Sequence, residues 1–183
     1  LATMLVCITT DAEIDNAQLD LALKDAVDKS FNRIDSDGCM STNDTVILLA
    51  NGASGVKPDL NEFESGLLTV CKDLARQLIA DAEGSSKDIQ IKVVNAANES
   101  DALDVARAIS RSNLLKCAIH GEDPNWGRVL SAAGTTKAAF EPDNVDVALN
   151  GIWVCKNGMT GEDRNLVKME DRVVIIQVDL KAG

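Results

Sequence analysis

Aromatic residues are nearly missing from this chain of 183 residues: they make up 3%, and Tyr does not occur. The core must therefore be built from aliphatic side chains. Histidine occurs once, at His120, so any metal site would have to be carboxylate-based. Basic residues are outnumbered, with 18 Lys and Arg against 29 Asp and Glu and a net charge of −11. That balance argues against nucleic acid as a partner, because gripping phosphates requires basic residues that displace counterions. No apolar run approaches the roughly 20 residues of a membrane span, and no signal peptide opens the chain. Cys7, Cys39, Cys71, Cys117 and Cys155 are odd in number and none lies in a C-x-x-C pair. A disulfide framework or a zinc knuckle would look different. Buried, reduced thiols in a cytoplasmic protein are the expectation.

Apolar residues are plentiful at 45%. The length suits one domain or two small lobes, and a chain this long buries roughly 70% of its unfolded surface. Met4 to Thr9 reads as a buried strand. Asp15 or Asn16 caps a helix whose stripe is Leu19, Leu23, Val27, Phe31 and Ile34. Thr45 to Ala50 is a second strand. Pro58 and Asp59 open a long helix that ends at Glu83-Gly84-Ser85-Ser86. Ile89 to Asn95 is a strand, and Asn98 or Ser100 caps the next helix. Leu114 to Ile119 reads as another strand, followed by a short helix from about Trp126 to Ala133. Val145 to Leu149, Ile152 to Lys156 and Val173 to Leu180 are late strands, the first two joined by a tight Asn150-Gly151 turn. Interleaved helices and strands give a mixed α/β protein with layered packing. The chain begins at Leu1 rather than Met and runs into an apolar strand at once. A processed piece, a second subunit or a fragment of something longer is expected.

Asp35-Ser36-Asp37-Gly38 invites a calcium reading. Counted from Asp35, the Gly falls at position four and Val46 at position twelve, where an EF-hand needs Gly at six and Glu at twelve. A polar turn is the better reading. His120 lies beside Gly121-Glu122-Asp123-Pro124-Asn125-Trp126-Gly127-Arg128. A serine-type triad would use it as base, but a structural role beside a Pro-containing turn is the commoner case. Asp123 to Arg128 is either a functional loop or a well-capped turn. No glycine pattern supports a nucleotide cradle. Glu83 is a carboxylate just past a helix C-terminus, where the dipole disfavours it. Thr3 stands immediately before a strand. An N-terminal Thr supplies both a nucleophilic hydroxyl and, in its free α-amine of pKa about 7.7–8.0, a general base. While the Ala2–Thr3 bond is intact that nitrogen is an amide and has no basicity.

Four stretches together resemble the β half of the ornithine acetyltransferase (glutamate N-acetyltransferase) family of arginine biosynthesis. They are Leu1 to Leu5 leading to Thr9-Thr10-Asp11-Ala12; Asp37-Gly38-Cys39-Met40-Ser41-Thr42-Asn43-Asp44-Thr45; Asp81-Ala82-Glu83-Gly84-Ser85-Ser86-Lys87; and Gly121 to Arg128. The similarity covers nearly the whole chain. It implies a precursor that cuts itself between Ala2 and Thr3, then moves acetyl from N-acetylornithine to glutamate through an acetyl-Thr3 intermediate. Glu83 matches the family's substrate-binding Glu, with Ala82 where Gly is usual. The remaining ligands and the oxyanion donors would lie on a separate α chain and on a C-terminal tail beyond Gly183.

The resemblance further implies a layered αββα sandwich completed by the α chain, an α2β2 heterotetramer, and no cofactor, with acetyl-CoA a possible co-substrate. Two other readings use the same residues differently. An N-terminal-nucleophile amidase or aminopeptidase would pass the acyl group to water. A non-catalytic acidic binding module would use Thr3 only as a strand residue.

Overall fold

The computed structural model describes residues 3–183. They form two compact units that divide between Glu83 and Gly84.

The first unit is a βαβα arrangement. Strands β1 (Leu5–Thr10) and β2 (Thr45–Ala50) pair in parallel, from Leu5 opposite Thr45 to Thr10 opposite Ala50. Parallel pairing requires a crossover, and helix α1 (Asn16–Asp28) supplies it. Asp15 caps α1 by accepting from the N–H groups of Ala17 at 2.9 Å and Gln18 at 3.1 Å. Helix α2 (Leu60–Ala80) is capped by Asp59, which accepts from Glu62 N–H at 3.1 Å. Leu67, Cys71 and Ala75 recur every four residues and are buried against Ala22, Ala26, Phe31 and Leu48. The lead-in loops of both helices are joined at the carboxyl ends of the strands, where Glu13 N–H bonds Val56 O and Ser54 N–H bonds Asp11 O. Both helices therefore run back toward the amino ends. At 21 residues α2 is about 31 Å long, against about 20 Å for a six-residue strand, so it returns the full distance.

The α1 stripe was expected to continue through Phe31 and Ile34, but the helix stops at Asp28 and Phe31–Arg33 is a 3-10 turn. Ser30 explains the stop. Its hydroxyl donates to Ala26 O at 2.5 Å, taking the acceptor that the next turn needs, and its N–H falls back on Val27 O. Phe31 still reaches the core.

The second unit is a five-stranded sheet in the order β3-β7-β4-β5-β6, from β3 (Asp88–Val94), β4 (Asp146–Leu149), β5 (Ile152–Lys156), β6 (Met159–Thr160) and β7 (Val173–Asp179). β3 runs parallel to β7, and the other pairs are antiparallel. Asn150 and Gly151 both take positive φ in the β4–β5 turn, as that tight connection demands. Helices α3 (Glu99–Arg111), α4 (Asn113–His120) and α5 (Trp126–Ala133) contribute Val105, Ile109, Leu115, Ile119 and Val129 to an aliphatic core with Val147, Val174, Ile176 and Val178. The strand expected over Leu114 to Ile119 is thus a helix. Leu115, Ala118 and Ile119 are buried at helical spacing, Leu114 is exposed, Ser112 Oγ caps Leu115 N–H, and Ile119 is the segment's sole β-branched residue.

The cysteines also divide. Cys71 and Cys155 are buried, and burial pushes both thiols up. Cys7, Cys39 and Cys117 are exposed, contrary to expectation, because they fall on the outer face of β1, in a turn and on the outer face of α4. The Asp35–Gly38 segment is a turn whose carboxylates accept backbone N–H groups, Asp35 from Gly38 and Asp37 from Cys39. Among the described residues no helix is long and apolar enough to cross a membrane.

Asp146 is a buried carboxylate in β4. Burial pushes its pKa up, but the Lys181 ammonium at 2.8 Å, the Asn157 N–H at 2.7 Å and the charge of Lys156 outweigh it and hold the carboxyl below the usual range. A carboxyl held low stabilises the fold while ionised. That contribution is complete above about pH 4, where the unfolded group is ionised too, and is lost as pH falls through the lowered folded value. Asp146→Asn is expected to cost about 1–3 kcal/mol near neutrality and to flatten the acid limb of the stability curve. Chemical denaturation across the acid range checks both, and an unchanged acid limb would contradict the assignment.

Candidate active site

Thr3 precedes β1 by two residues and is exposed. Its Oγ1 lies 2.9 Å from Ser41 Oγ. That contact follows from how the turn before β2 is built. Ser41-Thr42-Asn43-Asp44 is dense in side chains that bond the local backbone. Asp44 Oδ2 accepts Ser41 N–H at 3.1 Å, Ser41 Oγ accepts Asn43 N–H at 3.2 Å, and Thr45 Oγ1 donates to Asn43 O at 3.1 Å. The second Asp44 oxygen, Oδ1, accepts Met4 N–H at 2.8 Å, while Met4 O accepts Thr45 N–H at 2.9 Å. Met4 is thus tied to the turn through both of its backbone polar groups. Thr3, its neighbour, is delivered to Ser41 on an anchored backbone.

Ala2 lies outside the described residues. Glu83 is exposed and sits three residues past α2, at the end of the first unit to which α2 returns and where Thr3 also lies. Its side chain makes no hydrogen bond or ion pair among the described residues. Thr3 and Glu83, read as a nucleophile and a substrate ligand, therefore fall at one end of one unit, although no bond joins them.

Asp123 to Arg128 lies in the second unit, and its side chains have local duties. The Asp123 carboxylate pairs with Arg164 and accepts Asn125 Nδ2 at 3.1 Å. Trp126 packs on the core, and Arg128 donates to Leu114 O at 2.7 Å. The segment is the joint between α4 and α5. His120 meets Ser86 Oγ at 3.3 Å through Nδ1, and among the described residues its ring makes no hydrogen bond to a carboxylate that would complete a triad. Lys87, at the end of the Glu83 string, donates to the carbonyls of Met169, Glu170 and Asp171 and pairs with Glu122, which holds the lead into β7. Among the described residues no group of His, Cys, Asp or Glu could hold a metal ion.

The ArgJ family model matches residues 1–183. This chain belongs to the ArgJ family. It is 64% identical over 183 residues to the arginine biosynthesis bifunctional protein ArgJ of Streptomyces coelicolor, covering 100% of this chain and 48% of that protein. The protein of the same name in Mycobacterium tuberculosis is 46% identical, with 100% and 45% covered. The crystal structure of the arginine biosynthesis bifunctional protein ArgJ from Bacillus halodurans superposes with a TM-score of 0.93 at 37% identity, covering 99% of this chain and 90% of that one. The chain thus has that structure's mixed α/β fold, and it spans about half the length of the curated relatives it matches.

Ser41 and Asp44 stand in the Asp37–Thr45 string that carries the family resemblance, yet residue types alone do not single them out. The available signal was Ser and Asp three apart just before a strand, a spacing that closes a hydrogen-bonded turn. Asp44→Ala is expected to free the N–H groups of Met4 and Ser41 and to cost about 1–2 kcal/mol, since both bonds are charge-assisted yet exposed. Amide hydrogen exchange should quicken at those two positions and stay unchanged at Ile47 and Leu48. Equal protection in the variant would contradict the anchoring role.

Proposed function

We propose that this chain is the nucleophile-bearing half of a glutamate N-acetyltransferase of arginine biosynthesis. The observation that carries the reading is Thr3 itself: a Thr that follows Ala2, held at the mouth of a parallel strand pair with its hydroxyl against Ser41, in a chain of the ArgJ family. The relatives are arginine biosynthesis bifunctional proteins by name.

Scission begins with attack of the Thr3 hydroxyl on the Ala2 carbonyl. The N-to-O acyl shift makes an ester, and hydrolysis of that ester frees the α-amine. The amine then serves as general base for the same hydroxyl. Thr3 takes acetyl from N-acetylornithine, releases ornithine, and passes acetyl to glutamate. Dividing one difficult exchange into two acyl transfers is what covalent catalysis achieves. Glu83, exposed and without an ion pair among the described residues, is suited to hold the ammonium of an amino-acid substrate. The proposed cycle uses no cofactor, with acetyl-CoA as a second donor.

The partner is the other half of the precursor, an α chain, in an α2β2 assembly in the cytoplasm. The first unit supports this reading. Leu5, Ile47 and Leu49 are 75%, 44% and 54% exposed on the outer face of β1 and β2. A two-stranded sheet with one apolar face uncovered is what half of an αββα sandwich would leave.

The test is a steady-state assay on the full-length precursor after scission. Acetyl should pass from N-acetylornithine to glutamate with ping-pong kinetics. Thr3→Ala should abolish both scission and transfer, and Thr3→Ser should keep part of each because the hydroxyl remains. Release of acetate without transfer to glutamate would favour the amidase reading. Normal scission and transfer in Thr3→Ala would leave only a binding module.

A further inference from the structure

Ser41 carries the side-chain oxygen that meets the Thr3 hydroxyl, at 2.9 Å. Either hydroxyl can donate in that bond, and acyl transfer needs one of the two directions. Asn43 N–H donates to Ser41 Oγ at 3.2 Å, which occupies one lone pair and leaves the Ser41 proton in need of an acceptor. The Thr3 hydroxyl has one proton, and acyl transfer sends it to the α-amine. Both requirements are met when Ser41 donates and Thr3 Oγ1 accepts. The Asn43 N–H strengthens the arrangement, because a hydroxyl that accepts one hydrogen bond becomes a better donor of another. Asp44 fixes the donor's position by holding the N–H groups of Ser41 and Met4 on its two oxygens.

We infer that Ser41 is a further catalytic residue, whose hydroxyl donates to Thr3 Oγ1 throughout acyl transfer; this rests on the reading of Thr3 as the nucleophile. In the first half-reaction the Oγ1 proton moves to the α-amine, an Oγ1–C bond forms at the acetyl carbonyl, and the carbonyl π pair moves to its oxygen. Collapse restores that pair and breaks the C–N bond, and the α-ammonium gives its proton to the departing ornithine nitrogen. In the second half the glutamate amine attacks the ester carbonyl. The C–Oγ1 bond then breaks with its pair left on Oγ1, and the α-amine carries a proton from the glutamate nitrogen to Oγ1. Ser41 keeps its own proton in every step. Its bond to Oγ1 is strongest when that oxygen holds the most negative charge, which is at the departure of Oγ1, so it stabilises the transition state more than the ground state. The same bond holds the Thr3 side chain in one rotamer for attack.

The test compares Ser41→Ala and Ser41→Thr in the full-length precursor. Scission is followed by intact mass, and kcat and KM are expressed per scissile site cleaved. Ser41→Ala should lower kcat by roughly 10²-fold, the loss typical of removing one preorganised donor, with KM for N-acetylornithine and glutamate unchanged. Ser41→Thr, which keeps a hydroxyl, should recover most of it. Cleavage in Ser41→Thr but none in Ser41→Ala is the extreme of the same loss and supports the role. An unchanged kcat in Ser41→Ala overturns it, as does a Ser41→Thr that folds and is no better than Ser41→Ala. Thr3→Ala serves as a separate arm. Transfer that survives there removes the nucleophile reading itself, whatever the Ser41 variants do.

Discussion

Met4 is held from both sides, its N–H by the Asp44 carboxylate and its carbonyl by Thr45 N–H. These bonds extend the β1–β2 ladder by one residue past its formal start at Leu5 and Thr45. Because the ladder is parallel, the amino ends of the two strands lie side by side. The residue that begins the first strand and the turn that precedes the second therefore face each other by topology. Thr3 before β1 and Ser41 before β2 meet without any long-range search. An antiparallel pair would place the start of one strand beside the end of the other and separate them.

The rest of the first unit supports that end. Both helices start at the far end of the sheet and return, so the tail of α2 delivers Glu83 to the side on which Thr3 lies. The inward face of the strands is covered by Ala22, Ala26, Leu67, Cys71 and Ala75, small or slender residues that let two helices pack closely on a short sheet. The outward face remains apolar and bare. An exposed apolar face of this kind is suited to a second layer packed against it.

Much of this was legible from residue pattern, for identifiable reasons. The β-branched run Thr45-Val46-Ile47 and the capping residues Asp15, Asp59 and Asn98 act locally, so their effects survive into the fold. Leu114 to Ile119 reads as a strand yet is a helix because a short apolar run does not reveal its period; the choice is made by burial of Leu115, Ala118 and Ile119, which is a tertiary fact. The premature end of α1 depends on one hydroxyl bond from Ser30. At the candidate site, Thr3 draws notice through the chemistry of its position and Glu83 through the string it stands in. Ser41 does not, since its contact is with a neighbour 38 residues away in sequence. Asp123 to Arg128 shows the reverse: a distinctive string whose side chains hold together a helix joint.

The central claim is that acetyl rests on the Thr3 hydroxyl between its donor and its acceptor. The most direct measurement is peptide mass spectrometry of the self-cleaved enzyme mixed with N-acetylornithine and no glutamate. The account requires an acetyl ester on the peptide that begins at Thr3, lost when glutamate is added and replaced by N-acetylglutamate in solution. Transfer at full rate with that peptide never acetylated would contradict it.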